Sequence, residues 1–238
     1  MRSPKNKALI ILILTVLISV LYYVIGSPRF YEDFLGEFTE GGRFGFLAPS
    51  LYQFAVTLVL FFFLPMAVIT GWFKEKPAAY GWQGGDRKAG NFFLLVGIPV
   101  VILMAWFSSA HAEFIHQYPL FISARPSLPL FQLEGQNITV FILYEFTYVF
   151  YYIGWEFFFR GFALFGLYRR YGLVAAILFQ AVLSTLLHIS KPVPELIAAF
   201  PGGIIFALVA LRWRSLKTVI ILHWLLGFSL DLFILLRY

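Results

Sequence analysis

The sequence predicts an all-α, polytopic membrane protein, a bundle of about seven transmembrane helices with a cytoplasmic N-terminus. Three observations lead there. Of the 238 residues, 61% are apolar and only 13% charged, against roughly 45–50% and about 25% in soluble domains, so too little polar surface exists to coat a water-soluble globule. The apolar residues fall into seven runs, at about 8–26, 50–72, 91–110, 138–162, 173–190, 195–211 and 218–236, each near the length a helix needs to cross the hydrocarbon layer. Finally, Lys and Arg collect in alternate connections, the signature of membrane topology.

Taken in order, run 8–26 follows Arg2, Lys5 and Lys7 and is not followed by a small-residue cleavage pattern, which predicts a retained signal-anchor. Runs 50–72 and 91–110 carry Pro65 and Pro99, which neighbouring helices tolerate by satisfying the freed carbonyl. The connection 111–137 is the long one; it holds His111, His116, Pro119, Pro126 and Pro129, and its histidines read as solvated. Run 195–211 contains Pro201-Gly202-Gly203, which predicts a kink or a close helix contact. With no internal repeat, the chain reads as a single membrane domain over 1–238.

With the N-terminus inside, twelve basic residues face the cytoplasm: Arg2, Lys5, Lys7, Lys74, Lys76, Arg87, Lys88, Arg169, Arg170, Arg212, Arg214 and Lys217. Five face out: Arg29, Arg43, Arg125, Lys191 and Arg237. The acids Glu32, Asp33, Glu37, Glu40, Glu113, Glu134 and Glu195 fall outside, and only Glu75 and Asp86 inside. Scattered in this way, the net charge of +6 is no nucleic-acid patch. The lipid bilayer is the predicted partner, and the location is a cell membrane. The absence of Cys removes disulfides, thiolate catalysis and zinc-thiolate sites.

Six ionisable residues remain within the apolar runs: Glu145, Glu156, Arg160, His188, His223 and Asp231. A charge at the bilayer centre costs about 2.5–3.5 kcal/mol even on insertion scales, so such groups face the bundle interior and mark a pathway or a site. Glu156 and Arg160, four apart, share a helix face and can pair. At 1.5 Å per residue Glu156 and His188 reach similar depth, whereas His223 lies only about 12 Å in, so a kinked or shifted run 218–236, or a longer side-chain reach, is expected to bring it near.

A carboxylate and an imidazole sharing one water can take its proton, and a second imidazole can stabilise the oxyanion formed when that water attacks an amide. Peptide hydrolysis within the membrane follows, with Glu156 and His188 as the base, His223 as oxyanion stabiliser and Arg160 holding Glu156. No His-Glu-x-x-His helix occurs, and Asp231 is the lone intramembrane Asp. No cofactor is predicted; Glu156, His188, His223 and Asp231 could ligate a metal, but their spacing is not diagnostic and no metal is predicted. Pure structural pairing and a proton relay in a transporter stay open as alternatives.

At Glu156-x-x-x-Arg160-Gly161, His188 and His223 the chain resembles the CAAX protease and bacteriocin-processing family of glutamic intramembrane endopeptidases, over about 138–236. The resemblance implies a multi-helix bundle with a conical cavity that cleaves prenylated CAAX-type or other membrane-associated peptides; bacterial members are also linked to bacteriocin self-immunity. It differs at three positions: Trp155 stands for the first of two paired Glu, Ser184 for Phe, and Gly227 for Asn. The first Glu is the chief water activator in the family mechanism. Hence Glu156 takes that role, or Asp231 serves as a relocated partner one turn beyond Gly227, or the chain is a non-proteolytic scaffold or immunity protein.

Overall fold

The computed structural model describes residues 4–39, 45–123 and 136–237, and these are helical with no strand among them. Arg2, Glu40, Arg43, Arg125, Pro126, Pro129 and Glu134 lie outside the described residues. Each apolar run forms a helix: α1 (Pro4–Ile25), α2 (Gly45–Trp72), α3 (Arg87–Ser108), α4 (Asn137–Tyr171), α5 (Leu173–Leu186), α6 (Val193–Trp213) and α7 (Lys217–Arg237). Six of them are long and apolar enough to cross a membrane. The expectation of a seventh full span at 173–190 is corrected: α5 has 14 residues, or about 21 Å, against roughly 30 Å of hydrocarbon. A helix of that length starting at one face of the hydrocarbon layer ends short of the other. Irregular backbone at that depth survives only where it is covered by protein or lines a wet cavity.

Helix α4 is the centre of the bundle. It runs nine residues beyond the 162 boundary expected from hydropathy because its last turns carry the polar groups of Tyr168, Arg169 and Arg170. Within it, Phe157–Phe165 is π-helical and every one of its residues is buried. Such wide turns are concentrated at functional sites. Phe61 of α2 stacks on Phe158 with centroids 4.2 Å apart and planes 2° from parallel. Closer to the site, Gly154 lets α2 come into direct backbone contact, since a Cβ there would lie 2.8 Å from the Thr57 carbonyl oxygen.

Around α4, the strongest pairings are α7 with α3, α5 with α6, and α2 with α4. Gly172, the single residue between α4 and α5, has φ 87° and ψ 160°, a conformation open essentially to glycine, and reverses the chain at once. Pro201 sits within α6 without ending it, and the neighbouring Gly203 packs against Ala181 of α5. The Gln180 side chain then donates to the Gly203 carbonyl at 3.0 Å and to that of Ile177 at 2.9 Å, clamping the α5–α6 hairpin. These contacts hold the two arms of the hairpin together at mid-length.

Candidate active site

Glu156 is the last α-helical residue before the π segment and is fully buried. Its Oε1 lies 2.6 Å from His223 Nδ1 and 3.4 Å from Arg160 Nη1. A carboxylate accepts only, so Nδ1 carries the proton and donates, which leaves His223 Nε2 as the free ring nitrogen. Arg160, also buried, lays its guanidinium 5.8 Å from the Phe206 ring centroid. The expected Glu156–Arg160 pairing is present, and of the three ways open to His223 a kink in α7 is not the one used: His223 reaches Glu156 from an uninterrupted helix. The wide turns of the π segment rise less per residue, so counting α4 at the ordinary α-helical rise overstated the depth of Glu156.

His188 stands elsewhere. It follows the end of α5, in the turn formed by residues 187–190, where its Nδ1 donates to the Ser184 carbonyl at 2.7 Å. This bond fixes the tautomer and leaves Nε2 as an acceptor. Between His188 and Glu156 comes Trp155, whose indole meets the His188 ring edge to face with centroids 5.2 Å apart. The acid expected from α4 at that spot is thus replaced by an apolar wall, and His188 and Glu156 share no hydrogen bond among the described residues.

Both histidines do line one small cavity of about 30 Å³, room for a water or two. Its wall includes His188, His223, Trp155, Lys191 and Glu195, with Tyr118, Tyr148, Tyr151 and Tyr152 between them. Glu156 and Arg160 lie behind that wall and hold His223 from the rear. Tyr152 rests on the His223 ring at 4.7 Å, and its hydroxyl fills the space that a side chain at 227 would need. That is the steric reason Gly227, and not a larger polar residue, occupies this turn of α7. Asp231 does not line the cavity; it faces Glu145 and Tyr144 instead.

Glu195 and Tyr118 are functional candidates that the sequence reading missed. Glu195 falls in the first turn of α6, and the Tyr118 hydroxyl lies 2.9 Å from each of its oxygens. The segment that brings Tyr118 is the connection after α3: its short helix Ala112–Gln117 sends Glu113 to accept the Val193 N–H at 2.8 Å, satisfying one of the four donors left open at the start of α6. Lys191 lies with Nζ 5.0 Å from the Tyr118 ring centroid. His111 and His116 are exposed and off the cavity, as expected of solvated histidines. The signal for Glu195 was the shortness of the link between the two runs, which brings residues at either end of a tight hairpin together.

Fold and site define a multi-pass membrane protein with two tautomer-fixed imidazoles facing a buried polar cavity. Residues 137–229, from the start of α4 to the middle of α7, match the model of the Rce1-like family, described as Type II CAAX prenyl endopeptidase Rce1-like. The match contains Glu156, Arg160, His188, Glu195 and His223, and that family is one of proteases. No curated protein and no solved structure matches the chain.

Proposed function

We propose that the protein is an intramembrane endopeptidase that cleaves prenylated CAAX-type or other membrane-associated peptides by attack of a cavity-held water. The observation that carries this reading is the Glu156–His223 contact at 2.6 Å, which presents an oriented imidazole to a cavity that His188 also lines. His188, with Nε2 unprotonated, accepts a hydrogen bond from the attacking water and orients it. His223, held at Nδ1 by the Glu156 carboxylate, turns Nε2 to the cavity, where a proton on it would be donated to the oxyanion that develops on the amide carbonyl. Arg160 balances Glu156 and keeps it aimed at His223. Within this reading Glu156 orients a catalytic histidine and does not itself touch the water. The catalytic core is then 138–236, within a single membrane domain.

A non-proteolytic scaffold or immunity protein is the second reading, favoured by Trp155 where an acid is expected. The two separate on purified protein in detergent, offered farnesylated CAAX-type and unprenylated membrane peptides. The endopeptidase reading expects cleavage by wild type and a loss of roughly 10²–10⁴-fold in both His188→Ala and Glu156→Gln. If no peptide is cut and the substitutions change thermal stability alone, the scaffold reading replaces it.

A further inference from the structure

We propose that Glu195 is the carboxylate that activates the attacking water together with His188, in place of the acid that α4 does not supply; this rests on the endopeptidase reading above. Three observations converge on it. Trp155 presents an indole to His188, with no basic lone pair to offer. Glu156 is fully buried and its Oε1 is engaged by His223 and Arg160. Glu195, in contrast, is 23% exposed, lines the cavity, and brings Oε1 to 4.0 Å from His188 Nε2.

That last distance is informative. His188 Nδ1 holds the ring proton against Ser184, so Nε2 and the carboxylate are two acceptors and cannot bond to each other. A water placed about 2.8 Å from each would see the two atoms, 4.0 Å apart, at an angle of about 90°. This is close to the angle between its own two O–H bonds. One hydrogen then points to Glu195, the other to His188, and a lone pair is left facing the cavity. The Tyr118 hydroxyl holds the carboxylate in this pose, and Lys191 supplies a compensating positive charge.

In the reaction the water oxygen bonds to the carbonyl carbon while its proton passes to Glu195. The carbonyl π pair moves onto oxygen, where His223 neutralises it. As the carbonyl re-forms, the C–N bond breaks with its electron pair going to nitrogen, and the proton on Glu195 is delivered to that leaving amine. One water and one amide become a carboxylic acid and an amine, and Glu195 is again a carboxylate.

The test compares kcat and KM of full-length wild type, Glu195→Gln, Glu195→Asp and Tyr118→Phe on a farnesylated peptide in detergent, with thermal melts of each. Glu195→Gln is expected to lower kcat by about 10²-fold or more with KM within about threefold, and to remove the carboxylate's contribution to the acidic limb of the kcat/KM pH profile, leaving that of His188. Tyr118→Phe keeps the carboxylate and is expected to lower kcat by about tenfold with that limb retained; Glu195→Asp is expected to fall between. A Glu195→Gln protein that keeps kcat within about threefold, or variants whose losses merely track the folded fraction, overturns the assignment and leaves the endopeptidase reading standing. A wild type that cuts no peptide overturns both.

Discussion

Glu156, 2.6 Å from His223, and Glu195, 4.0 Å from His188, carry the same functional group beside two histidines of one cavity, yet the bundle treats them oppositely. Glu156 is sealed behind the cavity wall, with a charged partner on its own helix and an imidazole from α7 against the same oxygen. Glu195 stands at the cavity, held by a neutral hydroxyl and separated from His188 by the width of one water. The difference teaches that burial depth decides the use of a carboxylate. A dry one is compelled to pair, and its contribution is orientation and charge balance. A partly wet one keeps a lone pair free for a proton in transit.

The comparison makes its largest prediction in stability. Arg160→Leu removes the counter-charge of a buried carboxylate and is expected to cost about 3–5 kcal/mol. Glu195→Gln, whose amide oxygen still accepts from Tyr118, is expected to cost no more than about 1 kcal/mol. Thermal unfolding in detergent checks both, and equal losses would erase the distinction between the dry and the wet acid.

A double-mutant cycle sharpens it further. Glu156→Gln combined with His223→Gln is expected to reveal a coupling of about 1.5–3 kcal/mol, the range of a charge-assisted hydrogen bond. The cycle of Glu195→Gln with His188→Gln is expected to give less than about 0.5 kcal/mol, because no direct bond joins that pair.

The smallest effect belongs to Glu75, a third carboxylate, 34% exposed and hydrogen-bonded to Lys7 at 2.5 Å and to the Tyr80 hydroxyl at 2.6 Å. Partial burial pushes its carboxyl up, but the bonds from Lys7 and Tyr80 and the charges of Lys7 and Arg169 outweigh this and hold it below its ordinary 4.5. A lowered value in the folded protein means stability that is present above the unfolded pKa and lost as pH falls through the folded one. Wild type is therefore expected to lose slightly more melting temperature than Glu75→Gln between pH 7 and pH 3. Solvent screening keeps the difference within about 1 kcal/mol. A larger difference would mean that exposure is a poor guide to how these acids are used.

Much of the site was legible as residues and little of it as partnerships. Glu156, Arg160, His188 and His223 stood out because a charge within an apolar run is expensive wherever it lies. The i,i+4 spacing of Glu156 and Arg160 was enough to pair them. His223 was expected to lie too shallow, since periodicity assumes α-helical rise and gives no sign of a π segment at Phe157–Phe165. Tyr118 was one of 13 tyrosines, in a connection with no pattern. Glu195 was assigned to an exterior link because its run was expected to follow a full span, whereas the short α5 sinks that link into the bundle.

Sequence alone determined the all-helical, membrane-spanning architecture, because hydrocarbon demands internal hydrogen bonding and a minimum length of apolar chain, and both are written in composition and run length. It also singled out Glu156, Arg160, His188 and His223 as ionisable groups among apolar neighbours, though not Glu195 or Tyr118. Only the tertiary structure decided which acid meets which imidazole. That depends on helix rotation, on where a short helix stops and on what closes over the turn, and these arise from packing between segments far apart in sequence, such as those of Tyr118 and Glu195, 77 residues apart.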